Sequence, residues 1–326
     1  MKPSSNIHNN IHTNPNISTL KISVVIPVYN SEKIVGETID RTVEELESQN
    51  WDYEIILVND NSPDKSWQVL EEKANQNPKL IAINLLKNYG QHMAIYCGFN
   101  YASGHYIVTM DDDLQNPPEE IVKLVEKALE GYDVVYGKFQ QKAHSTYRRY
   151  GSRIIEQMNR RIFHQPPGLT VTNFRLIHQD VIQRIRNYHT NYPYITGLSL
   201  MFSSHRANVI VEHHPRKVGK SNYNLIRIAR LVSQILFNYS SWPLRMVSTF
   251  GFIIALGAFL LGGYFMVRGL LGNTQVSGWA TIVVLISFFG GVNIVIVSML
   301  GEYLVRLLRQ VSEPNLYYIK GIINHE

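Results

Sequence analysis

A single cysteine in 326 residues, Cys97, excludes a disulfide framework and a thiolate metal centre. It falls in an apolar helical pattern and is expected in the core. No Walker-type Gly-Lys-Ser/Thr loop occurs and no glycine-rich fingerprint follows the first apolar run, so ATPase and dinucleotide chemistries lack support. Residues 1–20 contain no continuous apolar stretch and no small-residue cleavage pattern. Rich in Asn and Ser, they read as a disordered tail rather than a secretory signal. A strong excess of one charge is missing too: 31 Lys+Arg against 26 Asp+Glu leaves a formal +5. That mild surplus suits an anionic membrane surface, an anionic substrate or a nucleic acid, and its distribution has to decide.

Two long uncharged segments lie near the C-terminus. Met246 to Val267 is bracketed by Arg245 and Arg268, and Trp279 to Gly301 is ended by Glu302, Arg306 and Arg309. Each reaches the roughly 20 residues needed to span a bilayer. A buried hairpin in a soluble core is the alternative, and it accounts poorly for two such runs in tandem. The connector Gly269 to Gly278 has no Lys or Arg, whereas Arg227, Arg230 and Arg245 precede the first run and Arg306 and Arg309 follow the second. The positive-inside rule then predicts a multi-pass protein of the inner (plasma) membrane, with both termini and the large N-terminal domain cytoplasmic. Just before the first run, Leu225, Ile226, Ile228, Leu231, Val232, Ile235 and Leu236 alternate with Arg227, Arg230 and Gln234. The pattern suits an amphipathic helix in the headgroup layer, or one packed on the soluble domain. The expected divisions are a tail over 1–20, a cytoplasmic domain over 21–221, an amphipathic region over 222–243, a two-helix membrane domain over 244–310 and a cytoplasmic tail over 311–326.

The soluble part alternates short apolar runs with helical patterns, which predicts an α/β fold with a mainly parallel, Rossmann-like sheet. The predicted strands are Lys21 to Tyr29, Glu54 to Val58, Leu80 to Leu85, Tyr106 to Met110 and Asp133 to Gly137. Helices are predicted over Glu32 to Ser48, Lys65 to Ala74, Gln91 to Ala102 and Glu119 to Glu130. Ligands of open sheets of this type bind outside the carboxyl ends of the strands. Polar groups gather there: Tyr29 and Asn30, then Asn59 to Ser62, then Lys87, Asn88 and Gln91, then Asp111 to Asp113, then Lys138. Tyr29 offers a ring for a base, and Asp60 can accept hydrogen bonds from a base or ribose. Each residue alone also reads as a turn former.

The most informative stretch is Asp111-Asp-Asp-Leu-Gln-Asn-Pro-Pro-Glu119, directly after an apolar run. Adjacent carboxylates raise each other's pKa unless a cation neutralises them, and hard oxygen ligands suit Mg²⁺ or Mn²⁺ carrying a diphosphate. A solvated acidic turn capping the next helix is the alternative for the triplet taken alone, since Pro117, Pro118 and Glu119 suit a helix start.

Ser23-Val-Val-Ile-Pro-Val-Tyr-Asn30, Val58-Asn-Asp-Asn-Ser-Pro-Asp64, Asp111 to Glu119, and Arg216-Lys-Val-Gly-Lys-Ser-Asn-Tyr223 together resemble glycosyltransferase family 2. Within it they are most similar to the polyprenyl-phosphate glycosyltransferases of the GtrB and dolichyl-phosphate mannose synthase type, over about residues 21–310. The resemblance implies a GT-A nucleotide-diphosphosugar transferase fold and inverting transfer of one sugar to an isoprenoid phosphate. Carried over residue by residue, it implies that Asp111 and Asp113 are the acids of an Asp-x-Asp motif, with Asp111, Asp113 and Gln115 at the metal. Pro27, Tyr29, Val58 and Asp60 match nucleoside contacts, with Asp112 and Lys138 also at the donor. Arg148 and Ser152 match a pair facing the acceptor phosphate, and Arg175 and Arg216 match basic positions of the site. The chain departs from many relatives at Ser31, Asn59, Thr172 and Asn222, and Lys220 is a candidate to supply the charge missing at Asn222.

A lipid phosphate is already anionic, so catalysis reduces to holding two anions together and stabilising the leaving diphosphate. The expected partners are a nucleotide sugar, a polyprenyl phosphate, a membrane and further copies of the chain, with no nucleic acid, because much of the basic surplus sits beside the membrane segments. UDP-glucose is the first expectation for the donor, ahead of GDP-mannose and UDP-linked amino sugars. A processive polysaccharide synthase of the same fold is disfavoured, because its Gln-x-x-Arg-Trp motif is absent: none of Trp51, Trp67, Trp242 and Trp279 follows an arginine. A non-catalytic scaffold fits poorly with an intact acidic motif.

Overall fold

The computed structural model describes residues 20–139, 155–215, 225–271, 278–312 and 315–325. They fall into two compact units, with boundaries after Tyr223 and after Pro314.

The first unit is built on β1 (Lys21–Val28), α1 (Val35–Ser48), β2 (Asp52–Asn59), α2 (Ser66–Gln76), β3 (Leu80–Leu85), α3 (Gln91–Tyr101), β4 (Tyr106–Thr109), α4 (Ile121–Leu129), β5 (Val134–Phe139), β6 (Arg175–His178), α5 (Gln179–Arg186), α6 (Ile195–Phe202), β7 (Arg206–Val211) and, after the second unit, β8 (Ile319–Ile323). The eight strands form one sheet in the order β7-β5-β6-β4-β1-β2-β3-β8. β1–β2, β1–β4, β2–β3 and β5–β7 pair parallel, while β3–β8, β4–β6 and β5–β6 pair antiparallel. The continuous apolar character of β1 and β2 follows from their position: helices cover both faces, so side chains of either parity are buried. On α1, Val35, Ile39 and Leu46 recur on one face together with Thr38 and Thr42, and that face is the buried one. On α3 the close approach is set by Gly98, where an added Cβ would lie 2.4 Å from Val25 Cγ1.

The chain runs from β1 outward to β2 and β3, then crosses back so that β4 lies on the other side of β1. The crevice between the carboxyl ends of β1 and β4 is therefore the topological switch point, where a doubly wound sheet receives its ligand.

The first five strands and four helices fall where the sequence patterning sets them, within a few residues at their ends. β6, β7 and β8 lie outside the predicted elements. Within the stretch 311–326, Ile319–Ile323 pairs with Ala82–Leu85 and covers an edge that would otherwise expose unpaired amides.

The second unit contains α7 (Leu225–Tyr239), α8 (Trp242–Leu270) and α9 (Trp279–Ser312). Within α8 and α9, Trp242–Tyr264 and Phe288–Val305 have mean hydropathies of 2.0 and 1.7 with no residue buried, long and apolar enough to cross a membrane. α9 has 34 residues and continues eleven past the predicted end of its span. At 1.5 Å per residue it measures about 51 Å, longer than the roughly 30 Å of a hydrocarbon core.

Candidate active site

The switch-point crevice is closed by a hydrogen bond from one strand end to the other: the Tyr29 amide donates to Asp112 Oδ2 at 3.2 Å, and the Thr38 hydroxyl of α1 donates to the Asp112 carbonyl at 3.0 Å. Asp112 thus ties the acidic turn to the β1–α1 loop. Its Oδ2 is thereby held by the protein's own backbone, at the strand end where the donor is expected. Burial, reinforced by the charges of Asp111 and Asp113, raises its pKa to about 7 despite the Ser31 hydroxyl and the Tyr29 amide. Its neighbours are held differently. Asp111 Oδ1 accepts from Gln91 Nε2 at 2.6 Å, and Asp113 Oδ1 accepts from the Gln115 amide at 3.1 Å. Between Asp113 and Gln115, Leu114 is buried with φ of 55°, a left-handed turn that a leucine adopts only where its surroundings enforce it. The acidic motif is therefore a fixed turn and not a loose charged loop.

Gln115 is fixed from the other side by His214, whose amide donates to the Gln115 carbonyl at 2.8 Å. Sequence reasoning did not single out His214. The only signal for it is that His213, His214 and Pro215 immediately precede the Arg216 motif. Among the described residues no three of His, Cys, Asp and Glu gather to hold an ion. Two carboxylates and an amide oxygen nonetheless suit a divalent cation that takes its remaining ligands from phosphate and water, as Mg²⁺ sites commonly do.

The second strand end is also occupied. Asp60, 3% exposed, accepts from the amides of Tyr89 and Gly90 at 2.7 and 2.8 Å. Burial raises its pKa and these two amides work against the rise. Asp60 therefore shapes the β3–α3 loop with both carboxylate oxygens, a role the sequence did not suggest. Asn59 donates to Asn84 Oδ1 at 2.9 Å and accepts from the Ser62 hydroxyl at 2.6 Å. An amide can do both, and an aspartate at this position could not. Pro27 and Val58 sit side by side in register and are buried in the sheet. Val58 packs its side chain against α3 near Gly98. Tyr29, just after β1, is 52% exposed.

Arg175, expected among the basic positions of the site, is fully buried on β6, in register with Thr109 of β4 and Tyr136 of β5. Nε lies 3.3 Å from the Thr109 hydroxyl and Nη1 3.1 Å from that of Thr196, while Nη2 has no hydrogen-bond partner among the described residues. Burial lowers its pKa, opposed by Tyr136, Tyr194 and Asp111. Its positive charge thus sits beneath the end of β4, two residues before the acidic turn. Neighbouring His92 is held neutral chiefly by burial, with the charge of Arg175 adding to it, and its pKa falls to about 3. Lys138 is exposed on β5. The Thr172 hydroxyl donates to the carbonyls of Gly137 and Phe174, each at 2.9 Å, and so ties its segment to β5. Arg148, Ser152 and Arg216, with Lys220 and Asn222, lie outside the described residues.

An α/β sheet with a rigid acidic turn at its switch point is the architecture of nucleotide-sugar transferases. Residues 23–186 match the family model of Glycosyl transferase family 2. The chain belongs to that family and is a glycosyltransferase. It is 35% identical to the undecaprenyl-phosphate 4-deoxy-4-formamido-L-arabinose transferase of Proteus mirabilis (strain HI4320) over 93% of this chain and 94% of that one. Identity and coverage are the same for the protein of that name from Photorhabdus laumondii subsp. laumondii. Among solved structures, glucosyl-3-phosphoglycerate synthase from Mycobacterium tuberculosis, crystallised with Mn²⁺, uridine diphosphate and phosphoglyceric acid, superposes with a TM-score of 0.50 over 67% of this chain and 76% of its own at 16% identity. That likeness fixes the GT-A fold expected from the motifs.

Proposed function

We propose that this enzyme transfers one sugar, with inversion, from a nucleoside diphosphate to undecaprenyl phosphate at the cytoplasmic face of a membrane. The observation that carries the proposal is the 35% identity to undecaprenyl-phosphate transferases over nearly the whole chain, apolar helices included. Both relatives are named for a formamido-arabinose, so a UDP-linked amino sugar displaces UDP-glucose as the favoured donor, with GDP-mannose behind both.

The residues suit this chemistry. Asp111, Asp113 and Gln115 would hold Mg²⁺ or Mn²⁺, and a cation there supplies charge stabilisation for the departing diphosphate. Asp112 keeps the acidic turn locked to the β1–α1 loop, Tyr29 offers a face for the base, and Lys138 adds positive charge at the donor. Arg148, Ser152 and Arg216 belong to this proposal as the groups that receive the lipid phosphate and align its oxygen for attack. α7 lies at the headgroups, α8 and α9 cross the bilayer, both termini stay in the cytoplasm, and several copies assemble.

Membranes containing the enzyme, given a short polyprenyl phosphate and a panel of nucleotide sugars, test the reading. Lipid-linked sugar is expected from a UDP-linked amino sugar, and product from UDP-glucose alone would restore the earlier expectation. Arg148→Ala is expected to reduce transfer to lipid phosphate more than donor hydrolysis. Equal loss of both would remove Arg148 from the acceptor site.

A further inference from the structure

Covering the β3 edge requires only Ile319–Ile323, yet the chain end makes further contacts just before that strand, at the site end of the sheet. The Leu86 amide donates to the Tyr318 carbonyl at 2.8 Å, and the Tyr318 amide donates to the Tyr89 hydroxyl at 3.1 Å. The same short loop is gripped from the opposite side. Its Tyr89 and Gly90 amides donate to the Asp60 carboxylate, Asn88 Nδ2 donates to the Asp60 carbonyl at 3.2 Å, and the next residue, Gln91, donates to Asp111. Leu86, Lys87 and Asn88 are exposed, so burial does little to hold this loop. Hydrogen bonds hold it, and those at its outer end come from the chain terminus.

The terminus is itself well anchored. Asn324, at φ of 59°, directs its side-chain amide to the carbonyls of Ala74, Asn77 and Leu80, and the Tyr317 hydroxyl accepts from Asn100 at 2.9 Å. We infer that the segment around Tyr318, acting through the Tyr89 hydroxyl, is a positioning element of the nucleotide site. It fixes the loop whose amides orient Asp60 and whose following residue orients Asp111. The inference rests on the proposed reading of that crevice as the nucleotide site. It adds that the residues following the last apolar helix complete the site although they lie more than 200 positions from it in sequence.

The test is titration of the full-length protein in detergent with UDP in the presence of Mn²⁺, together with donor KM and kcat. Tyr89→Phe keeps the ring beneath Lys87, 5.2 Å from its centroid, and removes only the acceptor of the Tyr318 amide. It should weaken UDP binding about three- to tenfold, the range expected for one lost hydrogen bond. Donor KM should rise in step, with kcat at saturating donor and the melting temperature held. Tyr318→Pro removes the other half of the bond, and the double variant should bind UDP no worse than the weaker single variant. UDP affinity equal to wild type in Tyr89→Phe, or a fall in melting temperature alone, would overturn the inference. Wild-type protein that binds no UDP would overturn the nucleotide reading beneath it.

Discussion

The two ends of the sheet treat buried carboxylates in opposite ways. At the amino ends of the strands, Glu54 accepts from the Ser23 hydroxyl, the Ser103 amide and hydroxyl, and Lys21 Nζ, which forms an ion pair at 3.1 Å. Burial pushes its pKa up, and these donors outweigh it, so the net shift is downward. At the carboxyl ends, Asp112 has fewer donors and two anionic neighbours, and its pKa goes up to about 7. One end spends its carboxylate on stability. The other keeps a concentration of negative charge that a bound cation would relieve, and a fold tolerates such strain where it serves a ligand.

Substitutions at the two ends should therefore separate activity from stability. The largest effect is expected at the carboxyl end: Asp113→Ala should lower sugar transfer by about a thousandfold or more, with little change in the thermal melt. Near-normal turnover in a membrane transfer assay would remove the metal role. Glu54→Ala should do the reverse, costing about 2–4 kcal/mol in a denaturant melt by stranding Lys21 and the Ser103 amide, while specific activity of the folded fraction is retained.

pH sharpens the same contrast in chelator-treated protein. The folded state holds its proton on Asp112 more tightly than the unfolded chain does, so this group's contribution to stability falls as pH rises from about 4 to about 7 and then levels off. Asp112→Asn should flatten that slope and gain on wild type at pH 8, as read from melts across the range. Glu54 has the opposite sign: its contribution is full above the ordinary glutamate pKa and is lost as pH falls through its depressed folded value. The smallest effect is expected for Asn59→Asp, about 1–2 kcal/mol, because a carboxylate cannot donate to Asn84. A melt indistinguishable from wild type would mean that Ser62 and Asn84 rearrange around it.

What the sequence reveals follows from which interactions are local. The strands from β1 to β4 are legible because each is a continuous apolar run bounded by turn residues, and the acidic turn is legible because three adjacent aspartates have few structural uses. β6 is four residues long and contains an arginine, so no pattern marks it, and its burial of Arg175 depends on pairing with strands far away in sequence. β8 alternates correctly but follows the apolar helices, where nothing local says that the chain returns to the sheet. Asp60 and Asp112 show the same limit. Their positions at strand ends are readable, but the amides that occupy them come from loops 29 and 83 residues distant.

The most direct measurement is anomalous diffraction at the manganese edge from crystals grown with UDP and Mn²⁺. A peak at bonding distance from the Asp113 carboxylate, with diphosphate oxygens completing its coordination and the uracil beside Tyr29, is the predicted result. Manganese bound elsewhere, with Asp111 and Asp113 contacting neither ion nor nucleotide, would contradict it.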